Sequence, residues 1–260
     1  MTRQREKERR LADSFSARGL SVGDILYFDA VISTMDTAFE IGGPGARDRT
    51  LVVADAQSGG RGRFGRKWYS TADDLVFSLV LVDFESEVPY SMVAALAVFK
   101  AFGKYTGGVR LKWINDLLWE GGKKIAGVLA EERAGKTVIG IGVNLNAETL
   151  PPEIRERATS LLLETGLRVP KEEFLLAVME ELLPCLDACG EGRLGELIEE
   201  WETVSAIKGR RVVVSGGGAE RRGTVIGLDR GTGALVLSSE GKEVEVYEGS
   251  LAYEDGEKGP

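Results

Sequence analysis

Near Ile207 the texture of this 260-residue chain changes, and that break narrows the folds open to it. Upstream, apolar strand-like runs alternate with helical spacings. Downstream come short β-type runs at 211–215, 220–228, 234–238 and 243–247, separated by turn residues at Gly216-Gly217-Gly218, 229–233 and Gly241. Several short strands at this spacing indicate a small barrel. A chain of this length holds a sizeable core and has room for one large domain and a small one. The expected fold is α+β: a mixed or antiparallel sheet flanked by helices, followed by a small β-barrel. The expected boundaries are an N-terminal extension over 1–23, a large domain over 24–206, the barrel over 207–256 and a tail over 257–260.

Within the large domain, strands are expected at 25–28, 50–54, 75–81 and 109–113 from their apolar, β-branched character. Helices are expected at 33–41, 91–105, 171–189 and 194–204. Ser33 or Thr34 stands near the start of the first, and Gly42-Gly43-Pro44-Gly45 ends it. Gly121-Gly122 reads as a hairpin turn. Segments 124–132 and 137–145 read as an antiparallel pair, the second an edge strand able to pair with a copy of itself.

Composition excludes several function classes. There are 33 Lys and Arg against 41 Asp and Glu, a net charge of −8, whereas nucleic-acid binders usually carry a basic excess. No apolar run reaches the roughly 18 residues of a membrane span. The amino terminus lacks an apolar signal core, so a cytoplasmic location is expected. Cys185 and Cys189 share a helix face and make a poor metal site without further ligands; they are expected to fill core space. Histidine is absent, which excludes a Ser-His-Asp or Cys-His mechanism. Chemistry must come from Lys, Arg, Asp or Glu and from backbone dipoles, with room for a hard, oxygen-bound cation.

Residues 60–68, Gly-Arg-Gly-Arg-Phe-Gly-Arg-Lys-Trp, place three glycines and four cations within nine positions. Glycine brings backbone N–H groups close to a ligand, and arginine offers a donor fork for carboxylate or phosphate. The segment is not a P-loop, because no Gly-Lys-Ser/Thr follows at the right spacing. Around it, in order, lie Ser33-Thr34-Met35-Asp36, Lys112-Trp113-Ile114-Asn115-Asp116, Lys124-Ile125-Ala126-Gly127-Val128-Leu129 and Gly140-Ile141-Gly142-Val143-Asn144. Together these segments resemble the biotin protein ligases, from about Asp24 to the C-terminus.

The resemblance implies a class II synthetase-like catalytic domain and an SH3-like C-terminal barrel. It implies adenylation of biotin by ATP with release of pyrophosphate, then transfer of biotin to a lysine of a biotin carboxyl carrier domain. Both steps build negative charge on oxygen, so electrostatic stabilisation is the main requirement. On the matching positions, Lys124 and Arg63 are the implied catalytic groups. Biotin is expected to meet Ser33, Thr34, Met35, Gln57, Arg61, Gly62, Arg63, Lys124, Gly127, Leu129, Gly140 and Gly142. ATP is expected to meet Arg63, Arg66, Lys67, Trp68, Lys112, Asn115 and Asn144, with Mg²⁺ held by Asp116 and Asn144. The 60–68 loop is expected to order when biotin binds, and a homodimer is common in the family.

Two positions depart from the family pattern. Ile114 replaces the usual proline, removing a rigid φ, and Met35 stands where asparagine is common. Neither removes a proposed catalytic group. Two other functions compete: a lipoate or octanoate ligase or transferase of the same superfamily, and a regulator that senses biotinyl-AMP. The 60–68 loop speaks against the first. Residues 1–20, too short for the winged helix-turn-helix domain that some members carry, speak against the second.

Overall fold

A computed structural model describes residues 3–43, 45–82, 88–216 and 218–254. The 257–260 tail, and Pro44 and Gly217 within two expected turns, lie outside the described residues. The large unit runs α1 (Arg3–Ala17), β1 (Ile25–Val31), α2 (Thr34–Ile41), β2 (Thr50–Gln57), β3 (Leu75–Val82), α3 (Tyr90–Gly103), β4 (Val109–Lys112), β5 (Asp116–Trp119), β6 (Lys124–Arg133), β7 (Lys136–Val143), α4 (Leu161–Thr165), α5 (Lys171–Gly190) and α6 (Leu194–Ser205). Its seven strands form one sheet in the order β1-β2-β3-β7-β6-β5-β4. Only β1 and β2 pair in parallel, so the sheet is mixed.

The centre of the sheet is apolar on both faces, as the unbroken runs of β3 and β7 require. The main core carries α3 and α5, with Phe102 set edge-on against Phe174, 4.8 Å between ring centres. A second, smaller cluster lies under α2 and is built from Met35, Ala38, Val52, Val80 and Val138. Cys185 and Cys189 fill core space on α5 as free thiols; burial pushes them up to about 11 and about 12.

Helix α1 sends Leu11 and Phe15 into the main core. Its Glu8 carboxylate accepts a hydrogen bond from the Tyr27 N–H of β1 at 3.1 Å. The expectation of an edge strand at 137–145 is overturned. β7 lies between β3 and β6 and is hydrogen-bonded on both sides; the outer strands are β1 and β4. An apolar run buried on both faces belongs inside a sheet. β5, α4 and the last barrel strand were not anticipated, because each is only four or five residues long.

The C-terminal unit is a five-stranded antiparallel sheet, the SH3-like module: β8 (Arg211–Gly216), β9 (Ala219–Leu228), β10 (Leu235–Ser239), β11 (Lys242–Val246) and β12 (Ser250–Tyr253), in the order β11-β10-β9-β8-β12. It is fastened to the large unit at Trp113, whose Nε1–H donates to the Gly233 carbonyl at 3.3 Å. A second fastening is Glu202 of α6, which accepts from the Leu228 N–H at 2.7 Å.

Candidate active site

A cavity of about 640 Å³ lies over β6 and β7, walled by α2, the 60–68 loop, the β4–β5 turn and the barrel segment 249–251. Every residue expected at a biotin, nucleotide or metal site lines it. Its floor is glycine. Gly127 faces Gly142 across the β6–β7 ladder, and Leu129 faces Gly140. A Cβ on Gly142 would fall 2.5 Å from the Trp68 indole, one on Gly127 2.8 Å from the Lys124 amine, and one on Gly140 2.6 Å from the Met35 side chain. The absent side chains leave space that Trp68, Lys124 and Met35 fill.

The β4–β5 hairpin opposes Lys112 to Asp116, and Asp116 in turn pairs with Gly127 of β6. This brings the Lys124 ammonium 2.5 Å from Asp116 Oδ1 and 5.4 Å from the Trp68 ring centre. The backbone of Lys124 is held on both sides. Its N–H donates to the Arg157 carbonyl at 2.8 Å, and its carbonyl accepts from the Thr159 N–H at 2.9 Å. The Lys112 ammonium has no hydrogen bond or ion pair with any described residue. Burial lowers its pKa below the ordinary lysine value; the pull of Asp116 opposes this, and Lys124 and Arg66 add to it. Burial also lowers Arg63, against the attraction of Asp116 and Glu248. Four cations thus face two carboxylates, which leaves a net positive site.

The 60–68 loop is a small hairpin. Arg61 bridges to Lys67, the Trp68 N–H donates to the Gly60 carbonyl at 2.9 Å and the Gly62 N–H to the Arg66 carbonyl at 2.7 Å. Its tip turns through Phe64 and Gly65, both at positive φ. The barrel meets this tip: Arg63 Nη1 donates to the Gly249 carbonyl at 3.1 Å and Arg66 Nη2 to Ser250 Oγ at 3.0 Å. Lys67 lies over the Tyr69 ring. Trp68 Nε1 is buried without a hydrogen-bond partner among the described residues.

At the α2 end, Ser33 has the extended backbone of an N-cap, but its side chain caps nothing. Instead its Oγ accepts from Arg61 Nη1 at 3.4 Å. The Thr34 N–H donates to Gln57 Oε1 at 3.4 Å, and Thr34 Oγ1 accepts from the buried Ser78 hydroxyl at 2.9 Å. Met35 packs over Gly140 within the small apolar cluster. The Arg61 guanidinium is turned away from the cavity centre, toward Asp36 and Glu131.

Asn115 and Asn144 are buried, and each amide is oriented by a backbone carbonyl. Asn115 Nδ2 donates to the Val128 carbonyl, and Asn144 Nδ2 donates to that of Thr159 at 2.9 Å. Their Oδ1 atoms accept no hydrogen bond from a described residue. The Trp113–Ile114 peptide between these groups is cis. Among the described residues no group of three or more His, Cys, Asp or Glu could hold a metal. Asp116 is a lone carboxylate. That suits a magnesium ion carried by nucleotide phosphates rather than a resident metal.

Asp36 stood in a quoted motif without a role, and sequence reading missed Ser78, Glu131, Arg157 and the barrel's Gly249 and Ser250. No local signal marks them. Their partners lie far along the chain, 70 residues for Arg61 to Glu131 and 186 for Arg63 to Gly249.

Residues 27–147 match the model of the biotin/lipoate A/B protein ligase family. The biotin--[acetyl-CoA-carboxylase] ligase of Paracoccus denitrificans is 33% identical over 213 residues, 75% of this chain and 86% of that protein. The bifunctional ligase/repressor BirA of Bacillus subtilis is 34% identical over 175 residues, 63% of this chain; the match spans about half, 52%, of BirA. A structure of the biotin protein ligase of Aquifex aeolicus in complex with biotin and ATP superposes with a TM-score of 0.79 at 32% identity, covering 88% of this chain and 98% of that one. The chain belongs to the biotin protein ligases, within the biotin/lipoate A/B protein ligase family.

Proposed function

We propose that this protein is an ATP-dependent biotin protein ligase, which forms biotinyl-5′-AMP and passes biotin to a lysine of a biotin carboxyl carrier domain. One observation carries the reading: a single cavity joins an end at α2, where Met35, Leu129 and the glycine floor stand beside the polar groups of Ser33, Thr34 and Gln57, to an end where Arg63, Arg66, Lys112 and Lys124 outnumber their carboxylates. An apolar acid and a polyphosphate fit those two ends.

In this reading Ser33, Thr34 and Gln57 meet the ureido group, while Met35, Leu129 and the glycine floor meet the bicycle and tail. Lys124 stands where the biotin carboxylate and the α-phosphate meet. A carboxylate oxygen attacks the α-phosphorus, the bond to the bridging oxygen breaks, and pyrophosphate leaves with that electron pair. Lys124 and Arg63 stabilise the charge on the phosphoryl oxygens. The neutral amine of the acceptor lysine then attacks the acyl carbon. AMP departs, and the amine loses a proton to solvent or a nearby base. Lys112, Arg66 and Lys67 hold the polyphosphate, and Trp68, Asn115 and Asn144 the adenosine. Asp116 and Asn144 would hold the Mg²⁺ of the nucleotide, which when bound would neutralise phosphate charge.

The same reading keeps 24–206 as the catalytic domain and 207–256 as the barrel, and puts the protein in the cytoplasm. No helix of the described residues is long and apolar enough to cross a membrane. A homodimer, common in the family, would need a surface other than the interior strand β7. The test is pyrophosphate release from ATP and Mg²⁺ with biotin, lipoate and octanoate in parallel. Release with biotin alone, followed by label transfer to a carrier domain, is the expected result. Release with lipoate or octanoate instead would move the chain to the sister branch.

A further inference from the structure

We propose that Asp74 is a positioning residue for the nucleotide end of the cavity: its carboxylate ties the turn before β3 to the Leu145 N–H and so sets where Asn144 stands. That Asn144 meets a nucleotide rests on the function proposed above; the tie itself rests on geometry. Asp74 is 2% exposed and lies behind the residues that line the cavity. Its Oδ2 accepts from the Thr71 N–H at 2.9 Å and from the Thr71 hydroxyl at 3.0 Å. Its Oδ1 accepts from the Leu145 N–H at 3.1 Å.

The surroundings of Asp74 call for a carboxylate. The Thr71 hydroxyl accepts from the Asp73 N–H at 3.2 Å, which leaves its own proton for Asp74. All three neighbours are therefore donors. A carboxylate accepts at both oxygens, whereas an amide must turn its NH₂ toward one of them. Burial raises the pKa of this carboxyl, and the hydrogen bonds from Thr71 and Leu145 oppose the rise. Such a charge carries a desolvation cost that closing a turn does not require.

Strand pairing explains why the tie acts at one end of the cavity. The last pair between β3 and β7 is Leu75 with Val143. Gly140 and Gly142 lie inside that ladder, paired to β3 and to β6. Asn144 and Leu145 lie past it and are held point by point. The Asn144 N–H donates to the Ile125 carbonyl at 2.9 Å, and its carbonyl accepts from the Leu161 N–H at 3.0 Å. The next N–H along the chain, that of Leu145, is the one Asp74 takes. The Asn146 N–H reaches the same turn, donating to the Asp73 carbonyl at 3.2 Å. No residue of the 60–68 loop takes part, so the tie does not depend on whether that loop is open or ordered by a ligand.

The test is hydrogen exchange of the full chain without ligand. In Asp74→Asn, peptides over 144–147 are expected to exchange about fivefold faster or more, while β6 and the paired part of β7 keep the parent rate. Exchange over 144–147 at the parent rate, or equal speeding throughout β6 and β7, overturns the tie. Should Asp74→Asn fail to fold, Thr71→Val decides. It removes one donor to Asp74, so a rise of about threefold confined to the same peptides is expected, and an unchanged rate overturns the tie.

A second arm measures pyrophosphate release. The tie predicts an ATP KM about tenfold higher in Asp74→Asn, with the biotin KM within about twofold. Equal rises in both, as general loosening would give, or a fall in kcat alone, contradict it. Asp73→Asn removes the neighbouring carboxylate, 61% exposed, and keeps Asp74. It should match the parent in both arms; effects equal to those of Asp74→Asn would overturn the tie. A parent protein that releases no pyrophosphate with biotin would sink the proposed function, while the exchange arm would still decide the tie.

Discussion

At the α2 end of the cavity Ser33, Thr34, Gln57 and Arg61 already hydrogen-bond to one another or to Asp36, Ser78 and Glu131. At the opposite end the Lys112 ammonium makes no hydrogen bond or ion pair with a described residue, and burial lowers the pKa of both Lys112 and Arg63. The first end is pre-built, its donors and acceptors fixed before any ligand arrives. The second stores unfavourable charge that an anion relieves. The difference teaches where each kind of affinity comes from: shape and orientation at one end, release of electrostatic strain at the other.

The comparison can be broken hardest at Lys124, which serves the boundary between the two ends. Lys124→Ala should lower the rate of pyrophosphate release by about 10²–10³-fold, the scale of losing one transition-state donor. It should leave biotin binding measured by calorimetry within a few-fold. A matching loss of biotin affinity would mean that the lysine belongs to the pre-built end.

Gly142→Val comes next. Its Cβ would lie 2.5 Å from the Trp68 indole, so the ring must leave. Overpacking of this kind costs about 1–3 kcal/mol, and the ATP KM should rise at least tenfold. Urea melts and ATP titrations check the two effects together.

Lys112→Met sharpens the contrast, because its two effects have opposite signs. Removing a desolvated charge should stabilise the ligand-free protein by about 1 kcal/mol, while ATP affinity should fall about tenfold. The pH dependence follows from the lowered pKa. Below its folded value Lys112 is charged in both states, and its cost is fully present. As pH rises from that value toward 10.5 the unfolded chain binds more protons, so stability rises. The stability gap between the parent and Lys112→Met should therefore shrink in alkali. A gap that widens would refute the assignment of strain to this lysine.

Ser33→Ala should have the smallest effect on the fold. Its hydroxyl caps no helix N–H, so Tm should stay within about 1 °C, unlike the usual loss of about 1 kcal/mol for a true N-cap. Biotin binding should weaken about fivefold to tenfold, the scale of one hydrogen bond. A drop in Tm without a change in binding would return Ser33 to a structural role.

Most long elements were legible because their apolar spacing is strong: β3, α3, α5 and the β6–β7 pair all fall where the sequence reading put them. The misreading of β7 as an edge has a physical source. Periodicity reports which faces are buried, but strand order depends on contacts such as Ser78 to Gly140 that no local window contains. The site shows the same division. Lys124, Asp116 and Lys112 were legible as motif residues, and the structure brings them together. The Glu131 carboxylate that engages Arg61 and the carbonyl that meets Arg63 were not, because a pair across 70 residues or more leaves no trace in spacing.

The two thiols of α5 have a practical consequence for watching this molecule work. With values pushed to about 11 and 12, they are almost wholly protonated at neutral pH and sealed from reagents, so they will not take up a thiol-directed dye. Ile32, 71% exposed beside Ser33, is a natural place to install a cysteine. A fluorophore on Ile32→Cys would then report from next to Ser33, which lines the cavity, against a silent background, without removing either native sulfur.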